Sequence, residues 1–134
     1  AENEVSGPNA QLYHYVNLVR ARAGLFSVED SWSNYSTNPT KYTTQSGMRE
    51  ILHQERLIEL AFEGQRFWDL RRWKKAGEEL NKPITGWDLI QEDAASYYRE
   101  RVIYNQTFTS RDYLWPLPES ELLSNKRMNQ NPGW

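Results

Sequence analysis

The chain has 134 residues, 18 acidic and 16 basic, giving a formal net charge of -2, and no cysteine. That length suits about one domain. The mixed charge leaves no basic footprint for nucleic acid and no polybasic patch for anionic lipid, and without cysteine there are no disulfides, thiol nucleophiles or thiolate metal sites. The apolar fraction is 38% and the mean hydropathy -0.87, but there are six Trp, eight Tyr and four Phe. Each ring can bury roughly 150–250 Å², so the core is expected to be built from rings more than from aliphatic side chains. No apolar run approaches the ~20 residues of a membrane span, and no charged and apolar leader pattern of a signal peptide occurs.

In chain order, a Gly7-Pro8-Asn9 break precedes AQLYHYVNLVRARAGL. Leu12, Tyr15 or Val16, and Val19 recur there at helical spacing, and Gly24 supplies the stop. Residues 26–46 hold no sustained period and are rich in Ser, Thr and Asn, with a turn signal at Asn38-Pro39. They are expected to form a loop of about twenty residues, a length often tied to function. A second helix is expected from Ser46-Gly47 with Ser46 as its N-cap, carrying Met48, Ile51, Leu52, Ile58 and Phe62 on one face. From Leu57 to Phe62 the pattern is apolar on several sides, which implies burial. Gly64 interrupts, RFWDLRRWKKAG reads as a short helix ending at Gly77, and a turn follows at 81–86. EDAASYYRE can start as helix. VIYNQTF and DYLW are β-like, although Pro116 and Pro118 close the second run, and one helical turn is expected at Glu119–Leu123. The order helix, loop, helix across 9–63 has the form of one helical hairpin.

The densest stretch is ERLIELAFEGQRFWDLRRW, Glu55 to Trp73, with four Arg, four carboxylates, two Trp and two Phe. Glu55, Glu59 and Glu63 are four apart and form one line on a helix. Two carboxylates in a low-dielectric site could serve acid–base chemistry. The competing reading is a structural network, because Arg66, Arg71 and Arg72 follow closely and Arg20 and Arg22 lie on the first helix. Bidentate Arg–carboxylate pairs stitch helices together, and a buried carboxylate without such a partner is costly. The network reading is preferred. A hydrolase would also need its carboxyls on opposite sides of the scissile bond. His53 and His14 make no HExxH, and neither G-x-S-x-G nor a Gly-rich phosphate loop occurs. No catalytic residue, metal or cofactor is expected.

The run ERLIELAFEGQRFWDLRRWK closely resembles the C-terminal signature of the SusD/RagB family of Bacteroidetes. YVNLVRARAGL at 15–25, LWPLPESEL at 114–122 and NQNPGW at 129–134 resemble further family segments in the same order. The resemblance implies a mainly α fold of helical-repeat, tetratricopeptide-like type, with long irregular loops and little β. It implies a single domain over 1–134 that is the C-terminal portion of a longer protein. It further implies a nutrient-binding lipoprotein, surface-exposed on the outer membrane and lipid-anchored through an N-terminal part absent from this chain. Such proteins serve polysaccharide utilisation by handing glycans or peptides to a TonB-dependent transporter of the SusC type, without catalysis. Some apolar surface is then expected to be covered by helices outside this chain.

The matched motifs are scaffold, so candidate ligand residues come from local chemistry. Sugar sites stack aromatic faces on the C–H face of a pyranose beside amide and hydroxyl donors. Trp32, Tyr35 and Tyr42, set among Ser31, Ser33, Asn34 and Asn38, have that composition, and Trp87 after Thr85-Gly86 is a fourth candidate. Rings folded inward to anchor the loop are the alternative. At the level of function, the alternative is a helical-repeat scaffold that binds a peptide or a transporter subunit.

Overall fold

A computed structural model describes residues 1–134. The chain is mainly helical, with a single two-stranded sheet, and it divides into two compact units, Ala1–Glu63 and Gly64–Trp134.

The first unit holds α1 (Glu2–Ser6), α2 (Ala10–Arg22), α3 (Val28–Tyr35), a 3₁₀ turn (Lys41–Thr43) and α4 (Gln45–Glu59). Each longer helix starts on a side-chain cap, which satisfies a backbone donor that lacks an intrahelical partner. The Leu12 N–H donates to Asn9 Oδ1 at 2.9 Å, and the Asp30 N–H to Ser27 Oγ at 3.0 Å. The Gly47 N–H donates to Thr44 Oγ1 at 3.1 Å, so the cap of α4 is Thr44 and not Ser46. The loop expected over 26–46 is likewise corrected, because α3 occupies eight of its residues. Ser27 caps that helix, Glu29 and Asp30 sit in its first turn where the helix dipole favours them, and Asn17 Oδ1 accepts from the Val28 N–H at 2.9 Å. Gly24, at φ +72°, makes the left-handed turn that follows α2, and the Leu25 N–H closes back on the Arg20 carbonyl at 3.0 Å.

The core of this unit is aliphatic, contrary to the ring-built expectation. Leu12, Val28, Met48 and Ile51 are buried, while Tyr13, Trp32 and Tyr42 join Val16 and Leu52 as a half-buried collar. Tyr and Trp carry a polar atom that stays satisfied more easily at the margin, and Tyr13 Oη accordingly donates to the Tyr42 carbonyl at 3.0 Å. The burial expected from Leu57 to Phe62 is also corrected. Helix α4 ends at Glu59, Phe62 takes φ +66°, and Ile58 and Phe62 are exposed.

Helix α1 docks on the start of α4 by a reciprocal amide pair: Asn3 Nδ2 donates to the Gln45 carbonyl at 3.0 Å, and Gln45 Nε2 to the Asn3 carbonyl at 2.8 Å. Arg49 grips both carboxylate oxygens of Glu4. The hydrogen bonds from Arg49 hold the Glu4 carboxyl down to about 2, against an ordinary 4.5. A depressed carboxylate contributes stability above its unfolded pKa and loses it as pH falls through the folded one. The α1 contact is therefore expected to hold at pH 5 and to loosen between 4.5 and about 2. Amide hydrogen exchange of α1 measured across that window checks it. Exchange that stays flat in the wild type, or the same rise in Glu4→Gln, would refute the assignment.

The second unit holds α5 (Gln65–Arg72), α6 (Ala76–Glu79), β1 (Ile84–Trp87), α7 (Ala94–Tyr97), β2 (Glu100–Tyr104), a 3₁₀ turn (Ser110–Tyr113) and α8 (Glu119–Ser124). Gly64, at φ +73°, opens α5. The helix expected to run to Gly77 stops at Arg72, because Lys74 is left-handed at φ +59° and the Lys75 N–H returns to the Leu70 carbonyl at 2.9 Å. The turn expected at 81–86 is partly strand. β1 pairs antiparallel with β2, Thr85 opposite Val102 and Trp87 opposite Glu100, with a register shift between Ile84 and Thr85. DYLW is not a strand: Thr109 and Asp112 form a capping box that winds 110–113 into the 3₁₀ turn.

Leu70, Ala76 and Phe108 are the buried core of this unit, with Leu80 and Tyr113 against them. Asn81 clamps the strand-like run beyond β2, giving Nδ2 to the Phe108 carbonyl at 3.0 Å and taking the Phe108 N–H at 2.7 Å. The last two sequence motifs meet here. Gln130 pairs with both backbone groups of Leu117 at 2.8 and 3.0 Å, and Asn131 Nδ2 donates to the Trp115 carbonyl at 2.6 Å. Trp134 Nε1 donates to the carbonyls of Arg111 and Leu114, with the Arg111 guanidinium 4.8 Å from the ring centroid. NQNPGW is thus a clasp on LWPLPE, and its amides satisfy backbone that Pro116 and Pro118 remove from regular pairing.

Candidate functional site

The carboxylate line on α4 is matched by arginines of α2. Arg20 pairs with Glu55, and its remaining donors reach the Phe26 carbonyl and Ser31 Oγ, both at 2.7 Å. Arg22 pairs with Glu59 further toward solvent. The two pairs sit one helical turn apart on α4 and fasten the C-terminal ends of α2 and α4, which therefore run in the same direction with α3 between them in the chain, so 9–63 is not the single helical hairpin expected. Glu63 lies exposed beyond the helix. The other arginines act within the second unit. Arg71 donates to the carbonyls of Asp112 and Tyr113, Arg72 pairs with buried Asp69 at 2.8 Å, and Arg66 is close enough to Glu79 to help lower that carboxyl, chiefly held down by Lys82.

Between α2 and α4 runs an open groove of about 400 Å³, floored by Val16 and Leu52 and walled by Tyr15, Val19 and Leu60. Its carboxylates, Glu55 and Glu59, are the two held by Arg20 and Arg22. A second recess, of about 320 Å³ and mainly polar, lies at the start of α4 among Asn38, Thr40, Lys41, Thr44, Ser46, Gly47 and Glu50, with Lys41 paired to Glu50 at 2.8 Å.

The aromatic candidates fall into different settings. Trp32 and Tyr42 are half-buried against the first core; the Lys41 ammonium stands 5.2 Å from the Trp32 ring centroid, and Ser33 Oγ donates to Tyr42 Oη at 3.3 Å. Tyr35 projects from the last turn of α3, 74% exposed, stacked on Phe26 with centroids 5.8 Å apart and planes at 21°. Trp87 belongs to the second unit, 54% exposed, set edge-on against Tyr98 at 5.6 Å. It borders a recess of about 350 Å³ formed with Leu89, Ile90, Arg101, Val102 and Ile103. Beneath, buried Asp88 accepts from Arg101 at 3.0 Å and pairs with Arg99 at 3.6 Å, so the hairpin carries its own charge anchor. Tyr35 and Trp87 therefore present ring surface to solvent, whereas Trp32 and Tyr42 give most of theirs to packing. Their partners Phe26 and Tyr98 escaped the sequence reading. Phe26 lies nine positions before Tyr35, and only the unrecognised helix α3 brings the two rings together.

Comparison with known proteins places this geometry. The SusD family model matches residues 1–134. SusD-like protein P2 of Formosa agariphila is 36% identical over 135 residues, spanning 100% of this chain and 23% of that protein. SusD-like protein P25 of the same organism is 42% identical over 72 residues, 54% of this chain and 12% of that one. A crystal structure of a SusD-like protein from Bacteroides fragilis superposes with TM-score 0.73 at 28% identity, covering 99% of this chain and 23% of the other. The chain thus spans about a quarter of the length of the first of these relatives. With the whole of its 134 residues matched and the helical fold shared, the chain belongs to the SusD family.

Proposed function

We propose that this chain is the C-terminal part of a nutrient-binding protein that holds an oligosaccharide without breaking a bond and passes it to a TonB-dependent transporter of the SusC type. The protein would work at the cell surface, on the outer membrane, anchored through a lipidated segment outside these residues. The observation that carries the reading is the family match across 1–134. Two exposed ring platforms, Phe26–Tyr35 and Trp87–Tyr98, agree with it, being suited to the apolar face of a sugar ring. A binding site of this kind needs a few convergent contacts and no nucleophile.

Affinity electrophoresis through gels containing single polysaccharides, run on this chain beside the longer protein, tests the proposal. Retardation of both by one glycan, reduced in Tyr35→Ala or Trp87→Ala, is the expected result. Retardation of the longer protein alone would remove these rings from the site and leave the chain as scaffold. If neither is retarded by any glycan while a peptide panel binds, the oligosaccharide reading fails and the peptide-binding alternative replaces it.

A further inference from the structure

From Ala23 to Thr40 the chain carries no basic residue, and that stretch holds both rings of the Phe26–Tyr35 platform. The cation that touches the platform is Arg20 of α2, and all three of its nitrogens are engaged. Nε donates to the Phe26 carbonyl and Nη2 to Ser31 Oγ, while Nη1 pairs with Glu55. Its side chain is only 12% exposed. The rest of the unit repeats the pattern. Arg22 is held by Glu59, Arg49 by Glu4 and Lys41 by Glu50, and Arg56 is engaged as well. Residues 1–63 hold eight acidic and five basic side chains, a formal charge of -3.

We infer that the Phe26–Tyr35 platform takes an uncharged saccharide and turns away those that carry uronate or sulfate groups. The inference rests on the oligosaccharide reading above and names the class of sugar at one of its two platforms. An anionic sugar settling on the rings must shed water from its carboxylate or sulfate, and that cost is offset only by a cation within hydrogen-bond reach. Residues 23–40 supply none, and the cations of α2 and α4 already have partners. The charges that α3 does carry, Glu29 and Asp30, have the sign that repels an anion, and such repulsion excludes wrong ligands as effectively as contacts select right ones. An ammonium-bearing sugar fares no better. The two carboxylates lie in the first turn of α3, where they complement the helix dipole, and they already accept from Asn17 Nδ2 and Ser27 Oγ. What α3 and the residues after it expose around Tyr35 is amide and hydroxyl, Asn34 and Thr37, which suit the hydroxyls of a neutral ring.

The probes are neutral glucans, galactans and mannans, each beside the same polymer with its primary hydroxyls oxidised to carboxylates, which keeps the backbone and adds charge. Both forms are titrated by calorimetry into the longer protein, as wild type and as Tyr35→Ala. The expected result is binding of a neutral form that is lost in Tyr35→Ala, with the oxidised form weaker by about tenfold or more. Asn34→Lys, which puts a cation beside Tyr35 on the exposed surface of α3, should recover most of that difference, and the recovery should fade in about 0.5 M salt, where exposed charges are screened. Thr37→Lys serves the same purpose if the first variant fails to fold. Equal or tighter binding of the oxidised form through Tyr35, or no recovery in a folded lysine variant, would overturn the inference and leave the oligosaccharide reading standing. So would tighter binding of a deacetylated amino-sugar polymer than of its acetylated parent, or glycan binding unchanged in Tyr35→Ala. If no glycan of any charge binds, the oligosaccharide reading and this inference fall together.

Discussion

Arg71→Ala is expected to destabilise the Gly64–Trp134 unit by about 4 kcal/mol, the sum of two charge-assisted hydrogen bonds and a ring contact. The guanidinium of Arg71 donates to the carbonyls of Asp112 and Tyr113 and lies 5.2 Å from the Phe67 ring centroid and 5.3 Å from that of Trp115. It thereby ties α5 to the 3₁₀ turn on which the C-terminal clasp is built. Removing it leaves two carbonyls to find other donors and strips one face from two rings. Arg71→Lys should recover less than half of the loss, because a single ammonium cannot span both carbonyls in the planar fork that arginine offers. Urea unfolding followed by tryptophan fluorescence reads this directly, since Trp68, Trp73, Trp87, Trp115 and Trp134 all lie in this unit. A midpoint unchanged in Arg71→Ala would show that the clasp stands without it.

The same residue shows how far the sequence could be read. Arg71 was visible as part of a charge-rich stretch, and the preference for structure over catalysis followed from the number of arginines beside the carboxylates. Its partners were not visible, because they are backbone carbonyls more than forty positions downstream, which no side-chain pattern advertises. The pairs Arg20–Glu55 and Arg22–Glu59 were nearer to legible. Glu55 and Glu59, four apart, share one face of α4, whereas Arg20 and Arg22, two apart on α2, do not share a face, and both pairs form because long guanidinium side chains at the end of α2 reach across to α4. Helix α3 was hidden by composition. VEDSWSNY is short and polar, yet Ser27 with Asp30 three residues on is a start signal, and Val28, Trp32 and Tyr35 keep helical spacing. Hairpin β1–β2 was hidden differently, since Pro83 and Gly86 argue against a strand that only its partner stabilises. The exposed rings were named from composition as Tyr35 and Trp87, but sorting them from Trp32 and Tyr42 required the core. Which of Trp32, Tyr35 and Tyr42 faces water depends on α3 and the 3₁₀ turn, and both lie in the part read as loop.

Gly47→Ala is expected to destabilise the first unit by about 2–3 kcal/mol, although alanine is the better helix former. Position 47 is in the first turn of α4, where the swap should by itself gain up to about 1 kcal/mol. A methyl group there would stand 2.0 Å from the Lys41 carbonyl oxygen and 2.8 Å from Thr44 Oγ1. The oxygen is backbone and cannot rotate away, so the 3₁₀ turn Lys41–Thr43 must retreat, at an overpacking cost of about 1–3 kcal/mol or more. The retreat also pulls Thr44 off the Gly47 N–H, losing a cap worth about 1 kcal/mol. Two observables follow. The urea midpoint should fall, and the fluorescence of Trp32 should shift, because it is the one tryptophan of this unit and Lys41 stands over its ring. Gly77→Ala is the control, since the nearest atom to its methyl would be Tyr113 Oη at 3.9 Å. That variant should be neutral or slightly stabilised. If Gly47→Ala behaves likewise, the close approach of α4 to the turn does not hold the Trp32 region in place. If it weakens the fold as expected while glycan retardation through Tyr35 persists, the exposed platform is supported by α3 alone, independently of the turn that packs beside it.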